Sequence, residues 1–170
     1  MTFVSPIQRA EPPMRADEHT ALSARLDYHR ATLLMKLEGL DDEQLRHPMV
    51  PSGVSLLGMV KHLTQVEHSW FVIRFAGSDE PKLFSTDEDP DADFRIEAHE
   101  NTIDIVEGYL RACDRSDEVS AGASLDATFE EPWRGTTDLR WLLIHMIEET
   151  ARHNGHVDVM RELLDGVTGD

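Results

Sequence analysis

The sequence has a single cysteine and few positive charges. Cys113 is the only cysteine, which excludes an internal disulfide and favours a reducing compartment, so a cytoplasmic protein is expected. Lys and Arg number 16 against 33 Asp and Glu, for a formal net charge of −17. Nucleic acids and anionic membrane surfaces are bound through clustered Lys and Arg. The charge balance therefore argues against partners of either class.

Long apolar runs are also missing. No stretch approaches the roughly 20 apolar residues that a membrane-spanning helix needs, and no basic segment followed by an apolar run marks a secretory signal peptide. The composition, with 40% hydrophobic and 29% charged residues, is that of an ordinary globular protein. We expect one domain over residues 1–170, in which residues 1–15 form an N-terminal extension.

Apolar residues recur at helical spacing in four segments. They predict helices over about residues 17–40, 55–76, 93–115 and 138–164. Residues 116–136 lack such periodicity and are expected to be irregular. Four amphipathic helices with two longer connections predict an all-α four-helix bundle, with a connectivity other than simple up-down-up-down.

Polar residues that favour the N-cap position precede the predicted helices. Asp41 is expected to cap a short helix of one or two turns, and Ser55 the second long helix. Asp91 or Asp93 is expected to start the third long helix and Thr137 to cap the fourth.

The fourth predicted helix carries polar groups in the middle of its apolar seam. Alternating steps of three and four residues give the seam Leu139, Leu142, Met146, Glu149, His153, His156, Met160 and Leu163. A buried carboxylate without a partner costs several kcal/mol, so Glu149 requires compensation. Glu149 and His153 are four residues apart, and their side chains can therefore reach one ion.

A third ligand must come from another helix. His62 borders the inward stripe of the second helix, whereas His68 is expected to face solvent. Two imidazoles and one carboxylate suit catalytic zinc or ferrous iron. Alternatively, the histidines are hydrogen-bonded core residues and Glu149 pairs with Arg152 or with a histidine of another helix. Spacing alone does not decide between these interpretations.

Three blocks of the sequence point to a family. "LDYHRATLLMKLEGL", "VPSGVSLLGMVKHLTQVEHSWF" and "WLLIHMIEETARHNGHVDVMRELLDG" resemble the DinB-like superfamily and, more narrowly, its actinobacterial mini-circle protein branch. The resemblance covers nearly the whole chain. It implies a four-helix bundle with up-down-down-up connectivity, often dimeric.

The resemblance also implies a metal site. Members of the superfamily commonly bind a divalent metal through one histidine of the second helix and two ligands four residues apart on the fourth, which here are His62, Glu149 and His153. Many relatives have histidine at the position of Glu149. Mycothiol-dependent maleylpyruvate isomerase, a related enzyme, is similar in carrying glutamate there, so the departure does not remove the site.

The leading functional hypothesis is a metal-dependent transferase or isomerase that uses a low-molecular-weight thiol such as mycothiol on a small electrophile. Zinc is the first choice of metal, with nickel, iron or manganese as others. His156 or His29 would carry protons, or else serve as ordinary core or rim histidines. Trp133 and Arg134 would bind an anionic substrate or the carboxylate of a thiol, or else simply anchor a loop.

Two alternatives remain open. A metal-dependent hydrolase would activate water instead of a thiol, with Glu67 as a candidate general base. A homodimer that binds metal without catalysis, in a stress response or in ligand binding, is the other.

Overall fold

The computed structural model describes residues 2–169 and is dominated by helix. Its five α-helices are α1 (Glu18–Met35), α2 (Asp42–Arg46), α3 (Leu56–Glu67), α4 (Thr102–Ser120) and α5 (Leu139–Asp165). A π-helix (His68–Phe75) continues α3 directly, and a short 3-10 helix (Ala92–Phe94) precedes α4. Two strands, β1 (Thr128–Glu131) and β2 (Gly135–Asp138), form an antiparallel hairpin. Within the described residues, no helix is long and apolar enough to cross a membrane.

Side-chain caps fix where the helices begin. The caps predicted at Asp41 and Ser55 are confirmed, because each side chain accepts a hydrogen bond from a backbone N–H three residues later. The cap predicted at Thr137 is wrong. Thr137 lies in β2, and the neighbouring Asp138 accepts the backbone N–H of Trp141 at 2.8 Å.

Helix pairs enclose two clusters of buried apolar side chains. α1 packs against α5, α3 packs against α4, and α3 also contacts α5. One cluster includes Leu37, Leu57, Leu63, Tyr109, Val157 and Met160. The other includes Leu26, Phe71, Phe129, Leu139, Leu142 and Met146. Helix α5 passes from the second cluster to the first between Met146 and Val157, and the predicted ligands Glu149 and His153 lie on that stretch. The buried apolar residues of α3, which carries His62, belong to the first cluster.

The third long helix starts later than predicted. A helix over residues 93–115 is wrong at its N-terminal end, since α4 begins at Thr102, where Asn101 caps it by accepting the N–H of Asp104. The carboxylate of Asp93 is not available as a cap, because it hydrogen-bonds His62 instead. Residues 77–101 therefore form one long connection with a single short 3-10 turn.

His68 is buried, so the prediction that it faces solvent is wrong. Its Nε2–H donates to the carbonyl of Pro81 at 3.0 Å. The residue opens the π-helix, whose hydrogen bonds join residues five apart and therefore shift side chains out of the α-helical phase.

The region expected to be irregular contains regular structure. Residues 116–120 complete α4, and the hairpin pairs Thr128 with Asp138 and Glu131 with Gly135. Phe129 points into the core, edge-on to Phe75 with the ring centroids 5.6 Å apart. Each strand has only four residues and little apolar alternation, which left no clear pattern in the sequence.

Candidate metal centre

Three side chains from two helices converge where α3 crosses α5. Single ligand atoms of His62, Glu149 and His153 all lie within 4.8 Å of one another. His153 Nε2 lies 3.2 Å from Glu149 Oε1, and the rings of His62 and His153 have centroids 4.8 Å apart. The spacing on α5 and the helix contact thus bring together the residues that the sequence singled out.

Glu149 also has ordinary protein partners. The hydrogen bond with His153 is the main reason that its pKa lies below the usual carboxyl range, outweighing its partial burial. Arg152 Nη1 lies 3.2 Å from the other carboxylate oxygen, but the arginine is largely exposed. The ion pair of the alternative interpretation therefore exists, at a position where solvent weakens it.

The imidazole of His62 is hydrogen-bonded to a buried carboxylate. Asp93 Oδ2 lies 2.8 Å from His62 Nδ1, and Asp93 is only 5% exposed. Because a carboxylate accepts, Nδ1–H donates and Nε2 keeps its lone pair, which is the tautomer that binds a metal through Nε2. The ring of Phe94 stacks on the imidazole, with centroids 3.9 Å apart. The sequence did not predict Asp93 as the partner of His62, because Asp93 is one of many acidic residues in the connection before α4.

Gly58 allows this carboxylate to reach His62. A Cβ at position 58 would lie 2.3 Å from the carbonyl oxygen of Phe94. Gly58 precedes His62 by one turn of α3, so the missing side chain lets residues 92–94 lie directly against the helix. The close approach sets the position of Asp93.

The residues fit a divalent metal. Two imidazoles and a carboxylate form the donor set, and the charges of Glu149 and Asp93 would balance a dication. The Nδ1 atom of His153 is buried and has no hydrogen-bond partner in the part of the chain that the structure describes. A buried polar atom of this kind normally has a hydrogen-bonding or coordinating partner, which fits a site that takes up a further group.

The two predicted proton carriers lie in different surroundings. His156 is exposed, its ring centroid is 5.5 Å from that of His153, and both residues line one cavity of about 770 Å³. His29 is on α1, edge-on to Tyr28, and does not line this cavity. Partial burial and, next, Arg25 lower the pKa of His29.

Trp133 and Arg134 lie in the turn of the hairpin. Trp133 is 88% exposed, whereas the Arg134 guanidinium lies 4.8 Å from the centre of the Trp141 ring. Trp141 stacks on His145, with centroids 4.9 Å apart, and His145 is edge-on to Trp70. The Arg74 guanidinium lies 4.5 Å from the centre of the Trp70 ring. We call Trp70, Arg74, Arg134, Trp141 and His145 the aromatic strip. Since His145 precedes Glu149 by one turn of α5, the strip begins beside the three converging side chains.

Comparison with known proteins shows the family of the chain. Residues 21–166 match the mycothiol-S-transferase family, which is part of the DinB-like superfamily. The chain belongs to the mycothiol-S-transferase family. No curated protein gives a significant match. The matched region of this mycothiol-S-transferase family member includes the three converging side chains and the aromatic strip.

Two other ionisable residues of this family member, Glu67 and Cys113, are buried. Glu67 is 1% exposed, and both its oxygens accept from Arg30 at 2.8 Å. It is therefore not placed as the general base that the hydrolase hypothesis requires. Burial, and secondarily Glu67, raise the pKa of the Cys113 thiol well above its usual value, so the thiol is unreactive near neutral pH.

Proposed function

We propose that the protein is a divalent-metal-dependent S-transferase that joins the thiol of mycothiol to a small electrophile. The observation that carries the proposal is the convergence of His62, Glu149 and His153 beside an open cavity, in a chain of the mycothiol-S-transferase family. Zinc suits the donor set best, with nickel, iron or manganese as other choices. Held by His62, Glu149 and His153, such a metal would lower the pKa of a thiol, so that the thiol could lose its proton near neutral pH.

The residues around the ligands would orient and move protons. Asp93 holds His62 through Nδ1 and keeps Nε2 directed at the site. His156, on the rim of the cavity, has an imidazole nitrogen that can take up the thiol proton and return it to the product. His29 lies outside the cavity lining, which leaves His156 as the better of the two candidates.

The polar part of the thiol is proposed to lie along the aromatic strip. Mycothiol is a hydroxyl-rich sugar thiol, and the strip combines apolar ring surface with hydrogen-bonding groups. Within residues 2–169, the side chains of Arg134, Trp70, Trp141 and His145 have ring contacts but no hydrogen-bond partner. These groups are free to bind hydroxyls. Trp133 extends the same turn and remains a candidate contact.

Further proposals follow from the family resemblance. Residues 1–170 would form one domain, with the long helices arranged as an up-down-down-up bundle. The helix pairs α1–α5 and α3–α4 support that arrangement. We also propose that the protein is a cytoplasmic homodimer, which light scattering on the purified chain and cell fractionation would test.

The function is tested by metal content and turnover together. Mass spectrometry of the purified protein should find about one equivalent of a divalent metal, which is lost in His62→Ala and His153→Ala while helical circular dichroism persists. His47→Ala, an exposed histidine outside the site, is the matched control and should keep the metal. The loaded protein should conjugate mycothiol to 1-chloro-2,4-dinitrobenzene faster than the uncatalysed reaction.

Three results would overturn the proposal. Absence of metal after repletion would leave a bundle with a buried polar network. Metal binding with hydrolysis of esters, independent of thiol, would favour the hydrolase. Metal binding without any turnover would favour the non-catalytic dimer.

A further inference from the structure

The cavity beside the converging ligands has an apolar wall. His153 and His156 form one side of the approximately 770 Å³ space, and most of the rest is apolar, contributed by Val54, Met59, Phe94, Val159, Met160 and Leu163. Val159 and Leu163 are 58% and 70% exposed on the last turns of α5. Large apolar side chains open to solvent beside a reactive centre are typical of a binding pocket.

The cavity offers no free positive charge. Arg95 is the one lysine or arginine among the described lining residues. Its guanidinium is held by two carboxylates, with Nη2 2.6 Å from Asp89 and Nε 3.0 Å from Glu97. Asp91 adds another carboxylate to the wall. An anionic ligand would therefore lose its hydration without gaining a partner.

The charges at the end of the cavity beside the proposed metal ligands also disfavour an anionic electrophile. A dication at His62, Glu149 and His153 would be balanced by Glu149 and by Asp93, which contacts His62. A thiolate joining that centre adds one further negative charge. A second anion close to it would be repelled in a partly buried site, where charges are weakly screened.

We propose that this cavity binds the electrophile and that the electrophile is an uncharged, mainly apolar molecule such as a conjugated enal. The inference rests on the proposed thiol transfer. In the reaction with a 2-alkenal, the thiol sulfur bonds to the β-carbon, and the electron pair of the carbon–carbon double bond passes to the α-carbon. That carbon takes up the proton that the thiol released. The sulfur and the hydrogen of the thiol are thus added across the double bond. The addition has no leaving group and needs no external oxidant or reductant.

The size of the cavity sets the expected preference. Its volume falls within the range of about 300–1,000 Å³ usual for small-molecule sites, so an alkyl chain of about ten carbons can be enclosed. Each methylene group that leaves water strengthens binding by about fourfold. For 2-alkenals of five to ten carbons, kcat/KM should therefore rise about three- to fourfold per carbon.

The experiment compares matched ligands and matched variants. Turnover of 2-decenal with mycothiol is compared with turnover of an enal of the same length that keeps the aldehyde and carries a carboxylate at the other end. Binding of Nile red, an uncharged apolar dye, is measured by fluorescence on the metal-free protein, independently of catalysis. Val159→Glu places a charge on the cavity wall, and Ile144→Glu places the same charge at another exposed apolar position of α5, outside the wall.

The expected result is a loss of at least tenfold in both dye affinity and 2-decenal kcat/KM for Val159→Glu, with Ile144→Glu close to wild type. The carboxylated enal should react at least tenfold more slowly than 2-decenal. Equal turnover of the two enals, or equal dye binding by all three proteins, would overturn the inference. If Val159→Glu only converts a dimer into monomers and leaves dye binding and enal preference unchanged, this wall is a subunit interface and the inference fails. If the dye results hold and 1-chloro-2,4-dinitrobenzene is conjugated but no enal reacts, the inference about the electrophile fails. If neither electrophile reacts with mycothiol, the proposed transferase function fails instead.

Discussion

Asp93 Oδ2 accepts a hydrogen bond from His62 Nδ1 at 2.8 Å, although the two residues are 31 positions apart in the sequence. The contact fixes both the ring orientation and the tautomer of a proposed metal ligand. It depends in turn on Gly58, since only a residue without Cβ lets the Phe94 carbonyl lie so close to α3. A glycine, a carboxylate and an imidazole thus form one positioning unit behind the site.

Asp93→Asn should weaken metal binding by about 10- to 100-fold, because an amide is a poorer acceptor for Nδ1–H and no longer fixes the tautomer. Isothermal titration calorimetry with zinc measures the change, and circular dichroism checks that the helices remain. Asp87→Asn, at an exposed position of the same connection, is the control and should bind as wild type does. Equal affinity in the two variants would show that Asp93 has only a structural role.

Two glycine substitutions should have opposite effects on stability. Gly58→Ala forces the Phe94 carbonyl away and should destabilise the protein by about 1–3 kcal/mol. Gly155→Ala is expected to stabilise it by up to about 1 kcal/mol, because a Cβ there meets nothing within 4 Å and alanine favours the helix. Urea denaturation of both variants measures the free energy of unfolding.

The same two variants should also differ in metal binding, because Gly58 allows a close approach of the backbone that Gly155 does not. Gly58→Ala should weaken zinc binding, since it displaces Asp93, whereas Gly155→Ala should leave it unchanged. A Gly58→Ala variant as stable and as metal-competent as wild type would contradict the positioning unit.

The sequence predicted which side chains converge better than it predicted the residues that support them. Glu149 and His153 share the inward seam of one long helix, so a four-residue spacing was sufficient to pair them. His62 followed from the stripe of a second helix with clear apolar periodicity. These residues lie on regular helices, where spacing converts directly into geometry.

Asp93 and His68 show where that reasoning stops. Asp93 reaches its position through a loop, and loop conformation depends on tertiary contacts such as the one at Gly58. His68 begins a π-helix, and extrapolating the α-helical period past Glu67 placed it on the wrong face. The start of α4 was misplaced for a related reason, because several acids could cap a helix and packing selected Asn101.

Removing the metal should leave the fold intact. The buried apolar clusters lie on either side of the site and do not depend on it. At a free-metal concentration 100 times Kd, binding stabilises the native state by about 2.7 kcal/mol, which raises Tm by about 5–10 °C for a chain of this size. Chelation followed by circular dichroism should therefore show unchanged helix content at 25 °C and a lower Tm. Unfolding on chelation would instead assign the metal a structural role.

Cys113 should not react in the native protein. Burial raises the pKa of its thiol well above the usual value, which keeps the thiol protonated near neutral pH, and little of the side chain is exposed. Iodoacetamide should label it only after denaturation, as mass spectrometry would show. Cys113→Ala should keep thiol transfer. Rapid labelling of the native protein with parallel loss of turnover would make Cys113 a participant in the reaction.

The proposed role of His156 in proton transfer can be tested separately from metal binding. Its ring lies beside that of His153 and faces the cavity, while its own side chain is exposed, so His156→Gln should fold normally and keep its metal. Losing a proton carrier typically lowers kcat by about 100-fold or more, and added imidazole should restore part of the lost rate because it can diffuse into the open cavity. His47→Gln, at an exposed position outside the cavity, controls for the loss of a histidine. An unchanged kcat would move proton transfer to solvent, whereas loss of the metal would make His156 a ligand and change the proposed donor set.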